Sequence, residues 1–200
     1  MKITVSALFS IVLLHIAAAG TCQEYGRDRW QKPDEVVKSL DLKPGDVIAD
    51  IGAGNGYFTR RFAQAVSPGG EALGLEISSS LVESMRRDAD RLGVDTYKPI
   101  LVEPDDPGFE PGSVEVVFLC NAYHHLRNRV DYFKKVSKGL KKDGRVVIVD
   151  FYNRQMEIGP PPSHTVAKKV VLEEMKAAGY QLISDRDILS NQYYLVFEPN

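Results

Sequence analysis

A glycine-rich loop directly after a short apolar run constrains the fold of this chain more than any other feature of its sequence. The run Val47–Ile51 is typical of a buried strand, and Gly52, Gly54 and Gly56 then lead into a helical pattern that begins at Tyr57. Glycine lets the backbone turn sharply and leaves no Cβ in the way of a ligand. The free N–H groups at the start of the next helix favour negative charge. The loop therefore predicts a ligand site between the first strand of an α/β domain and the helix that follows it.

Strand and helix patterns alternate along the rest of the chain. Strands are predicted at 47–51, 72–77, 96–102, 114–119, 145–151, 180–184 and 193–197, and helices at 33–40, 57–66, 79–92, 129–140 and 165–178, with a turn at 141–144. Near-continuous apolar strands separated by helices are typical of a parallel sheet covered on both faces. The last two strands follow each other closely, which predicts an antiparallel edge. The pattern indicates one doubly wound α/β domain with three layers.

Composition excludes several other classes of protein. The 200 residues are 44% hydrophobic and 26% charged, which is ordinary for a soluble domain. Two cysteines are too few for a disulfide framework or a cysteine-built metal site. The net charge of −2 leaves no basic surplus to neutralise a phosphate backbone, so nucleic acid is not the expected partner.

Two acidic residues strengthen the prediction of a ligand site. Asp50 ends the first strand and Glu76 ends the second, where a carboxylate is placed to accept hydrogen bonds from both hydroxyls of a ribose. The glycines follow the spacing G-x-G-x-G, and Tyr57 occupies the position of the third glycine in a dinucleotide-binding fingerprint. This difference disfavours a nicotinamide-dependent oxidoreductase, which stays as a third hypothesis.

At these residues the chain resembles the class I S-adenosylmethionine-dependent methyltransferases. Segment 50–56 matches the family's first motif, D/E-x-G-x-G-x-G, at Asp50 and at each glycine, and the family's ribose-binding acid falls on Glu76. The segment Leu140–Ile148 resembles the family's entry into strand five. The resemblance runs from about residue 30 to 197 and is greatest for small-molecule enzymes of the quinone-biosynthesis type. It implies a Rossmann-like, seven-stranded and mostly parallel sheet with an antiparallel C-terminal strand.

The resemblance also implies the cofactor, S-adenosyl-L-methionine, and a set of residues that bind it. Ile77 accompanies Glu76 at the end of the second strand. After the third strand the family usually has an aspartate that reaches the adenine amino group, whereas this chain has Glu103, with Asp105 two residues later. Asn121, after the fourth strand, is placed to bind the amino-acid part of the cofactor or the substrate.

Candidate catalytic residues follow the fourth and fifth strands, because ligands in open α/β sheets bind beyond the carboxyl ends of the strands. His124 and His125 are candidates for a general base near neutral pH, and Tyr152 is a third candidate. The alternative for the histidines is local packing or capping. Asp150 and His164 rank beside Tyr152. No metal site is predicted, since no acid or cysteine completes a ligand set.

The first nineteen residues have the features of a secretory signal sequence. Residues 1–19 comprise one lysine, an apolar run and an A-x-A pattern at Ala17 and Ala19, and the run is too short for a typical membrane span. We expect an exported protein with no stable membrane insertion after cleavage. The alternatives are an uncleaved anchor and a lipoprotein attached through Cys22.

The expected organisation therefore has three parts. The signal peptide is followed by an N-terminal segment at 20–46 and then by a cofactor-binding domain at 47–200. The N-terminal segment contains one helix and Trp30, and it is a candidate lid over the cofactor. The alternative for the first part of this segment is a mobile linker. The leading function is methyl transfer to a small molecule. The alternative from another class is a non-catalytic, exported cofactor-binding protein of the same fold.

Cleavage of the signal sequence is directly measurable. Removal of 19 of the 200 residues leaves 181, so the exported protein is expected to begin at Gly20. Intact-mass measurement of protein from the extracytoplasmic fraction checks this. A full-length mass, or a lipid attached to Cys22, would contradict it.

Overall fold

A seven-stranded sheet forms the centre of the structure, which is a computed structural model that describes residues 26–200. The predicted signal sequence at 1–19 and the candidate lipid site at Cys22 lie outside the described residues. None of the helices within residues 26–200 combines the length and the apolar character that a membrane span requires.

The order of elements matches the predicted alternation. The strands are β1 (Val47–Ile51), β2 (Glu71–Glu76), β3 (Tyr97–Leu101), β4 (Val114–Cys120), β5 (Leu140–Phe151), β6 (Tyr180–Arg186) and β7 (Gln192–Pro199). The helices are α1 (helical at 26–31), α2 (Pro33–Ser39), α3 (Thr59–Ala65), α4 (Ser79–Leu92), α5 (Arg129–Gly139) and α6 (Lys168–Ala177). Single 3₁₀ turns occupy Tyr123–His125 and Pro162–His164.

The sheet has the strand order β3-β2-β1-β4-β5-β7-β6. The first five strands pair in parallel, and β7 runs antiparallel to both of its neighbours. The predicted fold is therefore confirmed. Strand order reverses between β1 and β4, because the chain first adds β2 and β3 on one side of β1 and then β4 on the other. A crevice opens at such a point beyond the carboxyl ends of the two strands, where ligands bind in doubly wound sheets.

Helices cover both faces of the sheet, and successive strand residues point into different layers. In β1, Ile48 packs with Phe62 of α3 on one face, whereas Ala49 belongs to the cluster that contains Phe133 of α5 and Met175 of α6 on the other. All five side chains are almost completely buried. The continuous apolar runs of the sequence are thus explained by burial on both faces.

The predicted turn at 141–144 is wrong. Strand β5 begins at Leu140, which pairs with Val114, and the register then jumps so that Arg145 pairs with Val116. The four intervening residues form a bulge opposite Glu115, whose carboxylate is paired with Lys141. These four residues have the composition of a turn. They form a bulge instead because the pairing between β5 and β4 already begins before them, at Leu140.

Candidate functional site

The glycine loop after β1 lies at the crevice between β1 and β4. Gly52, Gly54 and Gly56 all have positive φ, at 72°, 60° and 76°. The N–H groups of Gly52 and Ala53 donate to the carbonyl oxygen of Leu75 at 2.9 and 3.1 Å. The loop is therefore fastened to the carboxyl end of β2.

The three glycines are required for different reasons. A Cβ on Gly52 would lie 2.7 Å from the Cβ of Ala122, and a Cβ on Gly56 would lie 1.8 Å from the phenolic oxygen of Tyr97. A Cβ on Gly54 would meet nothing within 4 Å. Gly54 thus leaves space open above the loop. The missing side chain of Gly56 instead makes room for protein packing, which differs from its expected role toward the cofactor.

Glu76 is held in place by backbone donors at the end of β2. Its Oε2 accepts from the N–H of Gly54 at 2.9 Å, and its Oε1 accepts from the N–H groups of Ile77 and Ser78 at 2.9 and 3.0 Å. Two carboxylate oxygens have about four acceptor positions, so acceptor capacity remains after these three bonds. The buried carboxylate therefore anchors the loop and keeps acceptor capacity.

A first cavity of about 640 Å³ opens beside Glu76. This volume is in the range of small-molecule sites. Six predicted cofactor residues line it, namely Gly52, Glu76, Ile77, Glu103, Asp105 and Asn121. The side chain of Ile77 is 60% exposed and gives the cavity an apolar wall. Glu103 and Asp105 are exposed at its margin.

Asp50 lies behind the loop instead of in the first cavity. The Thr59 hydroxyl donates to its Oδ2 at 2.6 Å, which joins the end of β1 to the start of α3. Burial raises the pKa of this carboxyl to about 7, although the Thr59 hydrogen bond acts in the opposite direction. The structure therefore gives Asp50 a role in holding the loop and does not bring it to the cavity surface.

A second cavity of about 630 Å³ lies on the other side of Asn121. It is lined by Asn121, His124, His125, Phe151, Pro160, Ser163, His164 and Thr165. Asn121 and His125 line both cavities. No group of three or more His, Cys, Asp or Glu side chains between residues 26 and 200 has an arrangement that would hold a metal ion.

Asn121 is positioned by a buried chain of amide groups. It follows β4 with a φ of 59°. The side-chain amide of Gln192 donates to Asn121 Oδ1, and that of Gln31 donates to Gln192 Oε1. Sequence reasoning missed Gln192, because no motif marks a residue that lies 71 positions away along the chain.

His124 is paired with Asp150 at the second cavity. The Nδ1 of His124 lies 2.8 and 2.9 Å from the two carboxylate oxygens, and its backbone N–H donates to Oδ2 at 3.1 Å. The ring centroid of His125 lies 4.1 Å from that of His124. Burial and the neighbouring His124 lower the pKa of His125. The two histidines are thus distinct, since His124 has the carboxylate partner.

Tyr152 does not line either cavity. Its ring packs edge-on against Tyr193, with centroids 5.9 Å apart, and the Arg154 guanidinium lies 5.0 Å from its centroid. The structure therefore does not place Tyr152 at either cavity, as its predicted catalytic role would require, because the ring turns toward β7. His164, which ranked beside it in the sequence, does line the second cavity.

Helix α1 packs over the loop and toward the second cavity. The Arg27 guanidinium lies 3.7 Å from the ring centroid of Tyr57, and Asp28 accepts a hydrogen bond from the Tyr57 hydroxyl. Trp30 packs on Phe151, with centroids 5.7 Å apart. Residues 26–31 are thus helical and pack against the domain.

The buried carboxyl of Asp50 makes stability depend on pH. Because its pKa is raised in the folded state, stability is lost as pH rises from the ordinary carboxyl range toward 7. Asp50→Asn removes this loss. The difference in free energy of unfolding between Asp50→Asn and wild type is therefore expected to shift in favour of the variant between pH 5 and pH 8. The variant should gain roughly 2–3 kcal/mol of stability relative to wild type over this range.

Urea unfolding at the two pH values measures this difference. Asp143→Asn, at an exposed position of the β5 bulge, is the matched control for the loss of one carboxylate. An Asp50→Asn effect that is the same at both pH values would contradict the account of Asp50.

Comparison with known proteins relates this chain to methyltransferases. A family model described as a methyltransferase domain matches residues 42–197. A ubiquinone/menaquinone biosynthesis C-methyltransferase of Ectopseudomonas mendocina is 24% identical over 152 residues, which cover 76% of this chain and 58% of that protein. Nocamycin O-methyltransferase of Saccharothrix syringae is 28% identical over 107 residues, or 54% of this chain and 38% of that protein. The chain thus spans between about two fifths and three fifths of the length of these relatives.

A solved structure shares the fold over nearly its whole length. It is a SAM-dependent methyltransferase from Aquifex aeolicus, with a TM-score of 0.81 and 18% identity, covering 86% of this chain and 91% of that one. At this identity the likeness concerns the fold.

Proposed function

The chain belongs to the methyltransferase-domain family, and on that premise we propose that it transfers a methyl group from S-adenosyl-L-methionine to a small-molecule acceptor. One observation carries the proposal. Two cavities of similar volume, about 640 and 630 Å³, meet at a shared wall of Asn121 and His125. Such a pair suits a reaction that brings a cofactor and an acceptor together end to end.

The residues of the first cavity fit the parts of this cofactor. Glu76 has free acceptor capacity for the ribose hydroxyls, and the exposed Ile77 side chain offers an apolar surface to the adenine ring. Glu103 and Asp105 are carboxylates within reach of an exocyclic amino group at the cavity margin. Gly54 does not itself line this cavity, but it follows Gly52, which does; the open space at Gly54 and the amide of Asn121 remain for the amino-acid part.

The cofactor supplies an electrophilic methyl group on a sulfonium, so the protein has to orient the two reactants and exclude water. Glu76 orients the ribose, and the Gln31–Gln192 amide chain holds Asn121 at the wall between the cavities. Helix α1 covers this region through Arg27 and Trp30. These contacts support a role for the N-terminal segment as a lid.

We also propose that the protein is exported. The support is the signal-like pattern of residues 1–19, which precedes the described domain. Exported methyl transfer requires a supply of cofactor outside the cytosol.

Substitution of Gly54 tests the cofactor site. Gly54→Ala is expected to weaken S-adenosylmethionine binding roughly tenfold or more, because the new methyl group occupies the open space above the loop. The matched control is Gly93→Ala. Gly93 has almost the same φ, 61° against 60°, and equally open surroundings, but it ends α4 away from the cavity.

Both variants carry the same backbone strain, so each is expected to lose about 1 kcal/mol of stability. Calorimetric titration with S-adenosylmethionine separates the two effects. The site assignment fails if Gly54→Ala binds as tightly as Gly93→Ala.

A further inference from the structure

The buried carboxylate of Asp150 fixes the tautomer of His124. Asp150 is fully buried, and it accepts from the backbone N–H groups of His124 and Phe151 as well as facing the imidazole Nδ1. A carboxylate only accepts hydrogen bonds, so Nδ1 carries a hydrogen, and in the neutral ring Nε2 keeps a lone pair. The pair has the geometry by which a carboxylate orients a histidine general base.

The Nε2 atom of His124 is available at the second cavity. It makes no hydrogen bond to any residue between 26 and 200, and the side chain is 7% exposed while lining that cavity. Because Nδ1 faces the fully buried Asp150, the other edge of the ring is the one that reaches the cavity. A bound acceptor would therefore meet an unprotonated nitrogen.

Three other titratable groups lie around His124. Asp150 lies against it from β5, while His125 and His164 are the other titratable groups of the cavity wall. Burial and the closeness of His124 lower the pKa of His125, which disfavours its charged form. Of the adjacent imidazoles, only His124 has a carboxylate to stabilise a positive charge.

The lining of the cavity indicates the chemical class of the acceptor. Among residues 26–200, no Lys, Arg, Asp or Glu lines this cavity, so no side chain of these types in that range pairs there with a phosphate, a carboxylate or an ammonium group. Phe151 and Pro160 provide apolar surface, and Ser163 and Thr165 provide hydroxyls. The site is suited to a small, uncharged, partly apolar molecule.

A phenol is the acceptor that most needs this base. Phenolic hydroxyls resemble that of tyrosine, with a pKa of about 10, and stay protonated at neutral pH, whereas thiols ionise near 8.5. Aliphatic alcohols are about as weakly acidic as water, so a proton passes from them to imidazole far less readily than from a phenol. Resting on the proposed function, we propose that the second cavity binds a small phenol and that Nε2 of His124 accepts the proton of its hydroxyl.

The reaction balances without a further reactant. The phenolic O–H bond breaks as its proton passes to Nε2, and the oxygen electron pair forms the new bond to the methyl carbon. The bond between carbon and sulfur breaks, and sulfur keeps the electron pair. The products are an aryl methyl ether, the neutral sulfide of the cofactor and a His124 imidazolium beside Asp150.

Two phenols of different acidity test the role of His124. Methyl transfer from isotope-labelled S-adenosylmethionine is measured at pH 7.5 to phenol and to a dinitrophenol, which is already ionised at that pH. His124→Gln is expected to lose roughly 10²–10⁴-fold in rate on phenol and less than about tenfold on the dinitrophenol. His125→Gln, the comparison variant, is expected to lower both rates by the same factor.

Cofactor affinity, measured by calorimetry, is expected to persist in His124→Gln because His124 does not line the first cavity. Equal losses on the two phenols would overturn the role of His124 as a base. Cofactor binding with turnover of a thiol or aniline but of no phenol would overturn the acceptor class and leave the proposed function intact. Absence of cofactor binding by the wild type would overturn both.

If His124→Gln does not fold, wild-type pH profiles decide the point. The rate on phenol, which needs an unprotonated base, should rise with pH to a plateau, while the rate on the dinitrophenol should stay flat. Parallel profiles would contradict the proposal.

Discussion

The carboxylate of Glu76 is the contact on which the rest of the site depends. It accepts N–H groups from Gly54 in the loop after β1 and from Ile77 and Ser78 after β2, so it joins two neighbouring strand ends at the point where the strand order reverses. The loop is also held by the Leu75 carbonyl, by the Thr59–Asp50 hydrogen bond behind it, and by Arg60, which donates to the carbonyl oxygen of Asn55. The same carboxylate lines the first cavity, so the group that anchors the loop is also the acceptor we propose for the ribose. This arrangement explains why an acid is needed at the end of β2.

The sequence predicted the parts of the site that depend on backbone pattern. Strand ends and glycine positions follow from periodicity, and Glu76 and Asn121 follow from their places after strands. It did not predict which way a side chain or a missing one faces. Asp50 turns toward Thr59, and Gly56 makes room for Tyr97, because α3 and β3 pack behind the loop. Such long-range packing leaves no local signal in a single sequence.

The N-terminal helix connects the two cavities physically. Arg27 lies on Tyr57 beside the glycine loop, Trp30 lies on Phe151 of the second cavity, and Gln31 begins the amide chain that ends at Asn121. One short helix therefore contacts residues beside the glycine loop and residues of the second cavity. The His124–Asp150 pair completes the second cavity from the sheet side. Its position after β4 and β5 is the one that a doubly wound sheet offers to catalytic groups.

A crystal structure of the protein with S-adenosylmethionine tests the central claim most directly. The account predicts the ribose hydroxyls on Glu76, the adenine ring against Ile77, and the methyl group at the wall of Asn121 and His125, directed into the second cavity. A cofactor bound elsewhere, or one whose methyl group faces away from the second cavity, would contradict it.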